Sequence, residues 1–316
     1  NSPNPQAIIN MVPEDIKPYV IFNLSLSASE NICADGKKVV DSWMKVCAEN
    51  RVWTMIQPAS GGCSAFDDDD LELYESYYKN YPNFLGWNYA EQFWGFDEDR
   101  KRENGTVHTP TFLKRLELFT HLMKFAHQYG GYLCVSFTQA CYSANMMPVA
   151  YMKRNAEMNR LLSTDKEHFI CCEKYTMQNG FYDIESNCLG AYLGGYAGQY
   201  GIRFDICGWM EEQDKLDEYG NVITIKDPAD ETKTQNLKEY YNDFPKACGA
   251  IPILEHVALT GETVIDGPEL VSTDDLREIA TSKTADGYIR RNWAWFNHFK
   301  NINIDMFRKI LDGTIR

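Results

Sequence analysis

Positive charge is scarce in this sequence: 31 Lys and Arg face 45 Asp and Glu, for a net charge of −14. That sign is wrong for neutralising phosphates, so nucleic acid is excluded as the main partner. Long hydrophobic runs are also missing. Stretches such as Tyr19 to Phe22 fall far short of the ~18 residues that span a bilayer, so no membrane insertion is expected. The 10 cysteines include no CxxC pair and no regular spacing, which argues against zinc and against a disulfide framework. They read as small hydrophobes for core packing. His108, His121, His127, His168, His256 and His298 contain no HExxH or other ligand-spaced pair, so neither a metal nor another cofactor is expected. Ser60 lacks a GxSxG setting. The opening Asn1-Ser2-Pro3 has no basic segment leading into an apolar one, hence no export signal within this stretch.

What is present is ample core material, with 44% hydrophobic and 13% aromatic residues in 316 positions. Apolar, β-rich runs recur at 19–24, 52–57, 84–88, 132–138, 168–175, 202–205 and 251–255. Amphipathic segments lie between them near 37–50, 68–80, 110–129, 148–162, 187–200 and 237–247, with a last one at 301–312. The acidic run Asp67-Asp68-Asp69-Asp70 has no EF-hand spacing and reads as the N-cap of the second helix. This alternation predicts an α/β fold, a (β/α)8 TIM barrel formed by residues 1–316 as one domain. With seven strands found, the missing one is the first, and residues 5–11 read as the helix that follows it. Acidic residues cluster at 210–236 around Tyr219-Gly220-Asn221, as expected of a long surface loop with a small hairpin.

A barrel takes its catalytic groups from the C-terminal ends of its strands. Three carboxylates stand there: Glu91 past 84–88, Asp205 at the end of 202–205 and Glu255 at the end of 251–255. Such acids amid Trp and Tyr suit glycoside hydrolysis, in which one protonated carboxyl donates to the leaving oxygen and an ionised one activates water or attacks. Trp87, Tyr89, Phe93 and Trp94 bracket Glu91, and poor solvation there would raise its pKa toward that of an acid. Asp205 is two residues from Arg203, a cation that would keep it ionised. The same spacings equally fit a Glu91 that opens a helix, an Asp205 that only neutralises Arg203 and a Glu255 paired with a core cation. Asn88, Gln92, Trp94, Glu185 and Trp209, and beyond them Asp266 and Glu269, are candidates for hydrogen bonding or stacking on sugar, with ordinary loop packing as the alternative.

The run Pro82-Asn83-Phe84-Leu85-Gly86-Trp87-Asn88-Tyr89-Ala90-Glu91-Gln92-Phe93-Trp94-Gly95-Phe96 closely resembles a signature of glycoside hydrolase family 98. Further similar blocks are Asp15-Ile16-Lys17-Pro18-Tyr19, Gln57-Pro58-Ala59-Ser60-Gly61-Gly62, Asp205-Ile206-Cys207-Gly208-Trp209, Asp266-Gly267-Pro268-Glu269-Leu270 and Arg290-Arg291-Asn292-Trp293. The resemblance implies a catalytic barrel that hydrolyses internal β-linkages of a branched glycan with inversion. Glu91 matches the family's general acid, and Asp205 and Glu255 match the aspartate and glutamate that share the base function. It also implies a β-sandwich domain after the barrel and an oligosaccharide or polysaccharide substrate. A polymer of that kind implies a secreted, periplasmic or cell-surface enzyme.

The Trp87–Phe96 and Asp205–Trp209 blocks are most similar to the family's members active on blood-group glycans. Endo-β-1,4-galactosidase activity on A, B or H type glycans is therefore the expectation. An endo-β-1,4-xylanase acting on decorated xylan is the alternative within the family. A noncatalytic carbohydrate-binding barrel is the alternative from another class, and the presence of all three carboxylates argues against it.

Overall fold

The computed structural model describes residues 5–26, 36–60, 63–92, 100–101, 107–109, 111–137, 148–175, 184–204, 211–214, 216–227, 232–241, 259, 261–262, 264–266, 271–272, 294–295 and 304–315. Seven parallel strands run in chain order across one sheet: β1 (Ile21–Ser25), β2 (Trp53–Ser60), β3 (Phe84–Gln92), β4 (Tyr132–Phe137), β5 (Phe169–Tyr175), β6 (Gln199–Phe204) and β7 (Val264–Asp266). Parallel neighbours need crossovers, and helices supply them. After α1 (Pro5–Met11), α2 (Gly36–Glu49) links β1 to β2, α3 (Leu71–Asn80) links β2 to β3, and α4 (Phe112–Tyr129) links β3 to β4. α5 (Pro148–Met152) and α6 (Ala156–Thr164) precede β5, α7 (Ile184–Leu193) precedes β6, and α8 (Ile304–Leu311) comes last.

Local chemistry sets the helix ends. The Asp70 carboxylate accepts from the Leu73 amide at 3.1 Å and caps α3, as the acidic run predicts. Thr111 caps α4 and Asn155 caps α6 in the same way, and Gly130 ends α4 with a φ of 72°. The segment expected as one helix over 148–162 is two helices, because the second begins afresh at the Asn155 cap.

The sheet has two different faces. Outward-pointing Ile56, Ala59, Trp87, Tyr89, Val135, Phe137 and Tyr200 join the helices in the main core. The other face carries a small cluster of Met55, Cys134, Ile170 and Cys172. Cys47, Cys134, Cys171, Cys172 and Cys188 are buried thiols, two of them on this face, as expected of small hydrophobes. Two side chains show that this second face is concave. Arg203 on β6 donates from Nη1 to Gln57 Oε1 on β2 at 2.9 Å. On a flat sheet those strands stand four spacings apart, about 19 Å, farther than the two side chains can bridge. The sheet is therefore a curled half-barrel with its helices outside.

Three register slips shape β3. At its start Leu85 is extra, and Gly86 follows with a φ of 137°, where an added Cβ would lie 1.9 Å from the Tyr132 carbonyl oxygen. Next, Gln57 and Pro58 of β2 stand where β3 offers only Asn88, a fitting place for a proline that has no N–H to give the ladder. Finally, residues 90 and 91 stand opposite Ser136 alone.

The structure departs from the sequence reading in several segments. Residues 238–241, expected as helix, form a strand antiparallel to 211–214, so tertiary pairing overrides the local pattern. Strands 224–226 and 234–236 form a second ribbon, and the Asp217 carboxylate accepts from the Tyr219 and Asn221 amides in a turn at the tip of the acidic segment. α7 ends at Leu193, and β6 already begins at Gln199. The run at 251–255 lies outside the described residues, and the strand beside β6 is β7.

Candidate active site

The C-terminal ends of the parallel strands gather the polar groups of the concave face. Gln57 is their hub. It is fully buried, its Oε1 accepts from Asn23 Nδ2 and from Arg203 Nη1, both at 2.9 Å, and its Nε2 donates to Ser25 Oγ at 3.0 Å. One amide thus joins β1, β2 and β6 across the mouth of the half-barrel. Asn88 and Ser136, also buried, lie on the same face between them. Arg203 stands in register with position 174 of β5 on one side and with Asp266 of β7 on the other. Three positions occupied by charged residue types therefore stand in register across β5, β6 and β7.

Glu91 is the penultimate residue of β3. The slip after Tyr89 leaves positions 90 and 91 together opposite Ser136, on the row that continues to Cys172 and Gly201. Bulges of this kind recur beside active sites because they change which face a strand end serves. Without the slip, position 91 would share the parity of Trp87 and Tyr89, which belong to the helix side. Those two rings pack on the helix side of the sheet. Trp87 packs edge-on at 4.7 Å from Tyr74 and Tyr89 at 4.9 Å from Phe119, both in the outer layer.

Gln92, next along β3, is buried, and its Nε2 donates to the Ala90 carbonyl at 2.7 Å. Glu185 lies in the first turn of α7, the helix that follows β5, which places it on the strand-end side of the sheet. Asp266 closes β7. Asp205 follows Phe204 directly in the chain, and it lies outside the described residues together with Trp94, Trp209, Glu255 and Glu269. No group of acidic, histidine or cysteine side chains among the described residues is arranged to hold a metal, and no described helix is long and apolar enough to cross a membrane.

Sequence reasoning missed the Gln57 hub and a buried ion pair behind β3, where Arg115 Nε lies 2.9 Å from Asp68 Oδ2. Signals for both exist in the chain. Gln57 ends the largely apolar run 52–57, and Arg115 sits three, four and seven residues before Leu118, Phe119 and Leu122, on the apolar stripe of α4. Burial pushes the Asp68 carboxyl up, while Arg115 acts against it.

Comparison with known proteins agrees with this architecture. The catalytic module of a family 98 glycoside hydrolase from Streptococcus pneumoniae TIGR4 superposes in its native form with a TM-score of 0.55 at 11% identity, over 83% of this chain and 42% of that one. Its complex with the H-disaccharide blood group antigen gives 0.55 at 11% identity, over 81% and 41%. The complex with the LewisY pentasaccharide blood group antigen gives 0.54 at 11% identity, over 83% and 42%. This chain thus spans about two fifths of the length of those structures, and at that identity the likeness is one of fold. No curated protein matches it in sequence. The model of glycosyl hydrolase family 98 matches residues 2–316, and the chain belongs to that family.

Proposed function

We propose that this chain is an endo-acting, inverting glycoside hydrolase that cuts internal β-1,4-galactosidic linkages of blood-group A, B or H type glycans. The observation that carries the reading is the family match over residues 2–316, and it is supported by a register slip at positions 90 and 91, at the C-terminal end of β3. The half-barrel is on this view part of a (β/α)8 barrel. Glu91 protonates the leaving glycosidic oxygen. Asp205 and Glu255 share the base function and take a proton from the water that attacks the opposite face of the sugar, which inverts the anomeric carbon. Gln57 and Asn88 supply neutral hydrogen-bonding groups at the mouth, and Arg203, anchored to Gln57, supplies a fixed cation.

The solved relatives bound to the H-disaccharide and LewisY antigens support a fucosylated glycan as substrate. A site built to bond several hydroxyls rejects a chain lacking them far more strongly than an apolar pocket rejects a missing methylene. Undecorated lactosamine is accordingly cut poorly, and the net charge of −14 disfavours glucuronate-bearing xylan. A glycan of this size meets the enzyme outside the cytoplasm, so the protein works as a secreted, periplasmic or cell-surface enzyme. Parallel digests of a type 2 blood-group glycan and glucuronoarabinoxylan test the substrate. Release of reducing ends from the first is expected. Release from xylan alone would leave the family and overturn the galactosidase, and retention of glycan without new ends would favour a binding protein.

A further inference from the structure

The pair Asp68–Arg115 lies in the helix layer behind β3, away from the concave mouth. Its side chains are only 9% and 4% exposed. Withdrawing two charges from water costs several kcal/mol per ion, and apolar side chains of similar volume commonly hold a fold as well or better. Stability alone therefore does not account for this pair. Its contacts lead toward the site. The Arg115 guanidinium carbon lies 4.9 Å from the centre of the Tyr89 ring. Tyr89 Oη donates to Tyr74 Oη at 2.8 Å, and Ser64 stands beside Tyr74. Ser64 in turn belongs to the short strand that pairs with the end of β2. Tyr89 is the last residue of β3 in regular register with β4 before positions 90 and 91 stand opposite Ser136.

We propose that the buried Asp68–Arg115 pair, acting through Tyr89, is a positioning device that fixes the β3 bulge and with it the proton donor. The inference rests on Glu91 being that donor. The carboxylate of Asp68 holds the guanidinium over the Tyr89 ring, and that contact sets the height of the ring and of the strand end beyond it. A misplacement of about 1 Å at a reacting group costs ~10²-fold in rate.

The test uses a property that a merely structural residue would not touch, the need of the leaving group for a proton. The substrates are a type 2 blood-group A glycan and the dinitrophenyl β-glycoside of the same A trisaccharide, whose leaving group departs unprotonated. For the double variant Asp68→Leu/Arg115→Met the melting temperature stays within a few degrees of the parent. Its kcat on the natural linkage falls ~10²-fold with KM nearly unchanged, while its rate on the dinitrophenyl glycoside stays within about threefold. Tyr89→Phe, which removes one hydroxyl and leaves the ring, shows the same selectivity with a smaller loss, and it carries the test if the double variant does not fold. Equal losses on both substrates, or no loss on either, overturn the positioning role. Glu91→Gln serves as the reference: if it fails to separate the two substrates, the donor assignment falls and the positioning role with it.

Discussion

Tyr74, Tyr77, Tyr78 and Tyr89 hold their protons far above the usual phenol range, because burial among apolar neighbours strips water from the phenolate. Burial likewise pushes the Cys47 thiol up to about 12. A pKa raised by folding means stability that is complete below the unfolded value and lost as pH rises toward the folded one. The loss therefore begins near pH 9.0 for Cys47 and near 10.0 for the tyrosines. A spectrophotometric titration is expected to show exposed tyrosines ionising first and these four only together with unfolding. Smooth ionisation of every phenol in a folded protein would contradict their burial. Legibility at this scale was uneven. Asp70 was readable as a cap because capping is local. Asp68, two residues earlier in the same acidic run, was not, since its partner Arg115 is brought to it only by the packing of α4.

Helix α4 shows what an element owes to its ends. Thr111 accepts from the Lys114 amide at 3.3 Å, and Gly130 adopts a φ of 72° with nothing within 4 Å of where a Cβ would stand. Thr111→Ala is expected to cost ~1 kcal/mol through the lost cap, and Gly130→Ala ~1 kcal/mol through backbone strain alone. Urea denaturation of each variant measures both, and a neutral Gly130→Ala would mean that the turn relaxes. The helices and strands nearest the start of the chain were the most legible. α2 was expected at 37–50 and occupies Gly36–Glu49. The segment at 237–247 misled because Lys238 to Tyr241 takes its structure from a partner strand at 211–214, Tyr241 pairing with Glu211 30 positions earlier, which no local period encodes. The bulge after Tyr89 was equally hidden, because it exists only in the pairing of β3 with β4.

Across the whole molecule, one hydrogen-bonded hub holds the curvature that makes a mouth. Gln57 joins Asn23, Ser25 and Arg203, so it ties the second strand of the sheet to the sixth. Gln57→Leu leaves the half-buried guanidinium of Arg203 without this acceptor and is expected to destabilise the fold by ~1 kcal/mol, read as a lowered denaturation midpoint. An unchanged midpoint would show that the curl depends on the outer helices alone. The alternation of strands and helices was legible because it is written in hydrophobic periodicity, whereas the curl rests on a bond between residues 146 positions apart. The same curvature gathers the strand ends to which the proposed chemistry belongs. The most direct test of that chemistry is proton NMR of the product during the first minutes of digestion of a type 2 blood-group glycan by the intact chain. Inversion at a β-linkage predicts that the α-anomer of the released oligosaccharide appears first and then mutarotates. An initial β-anomer, or no released oligosaccharide, would contradict the account.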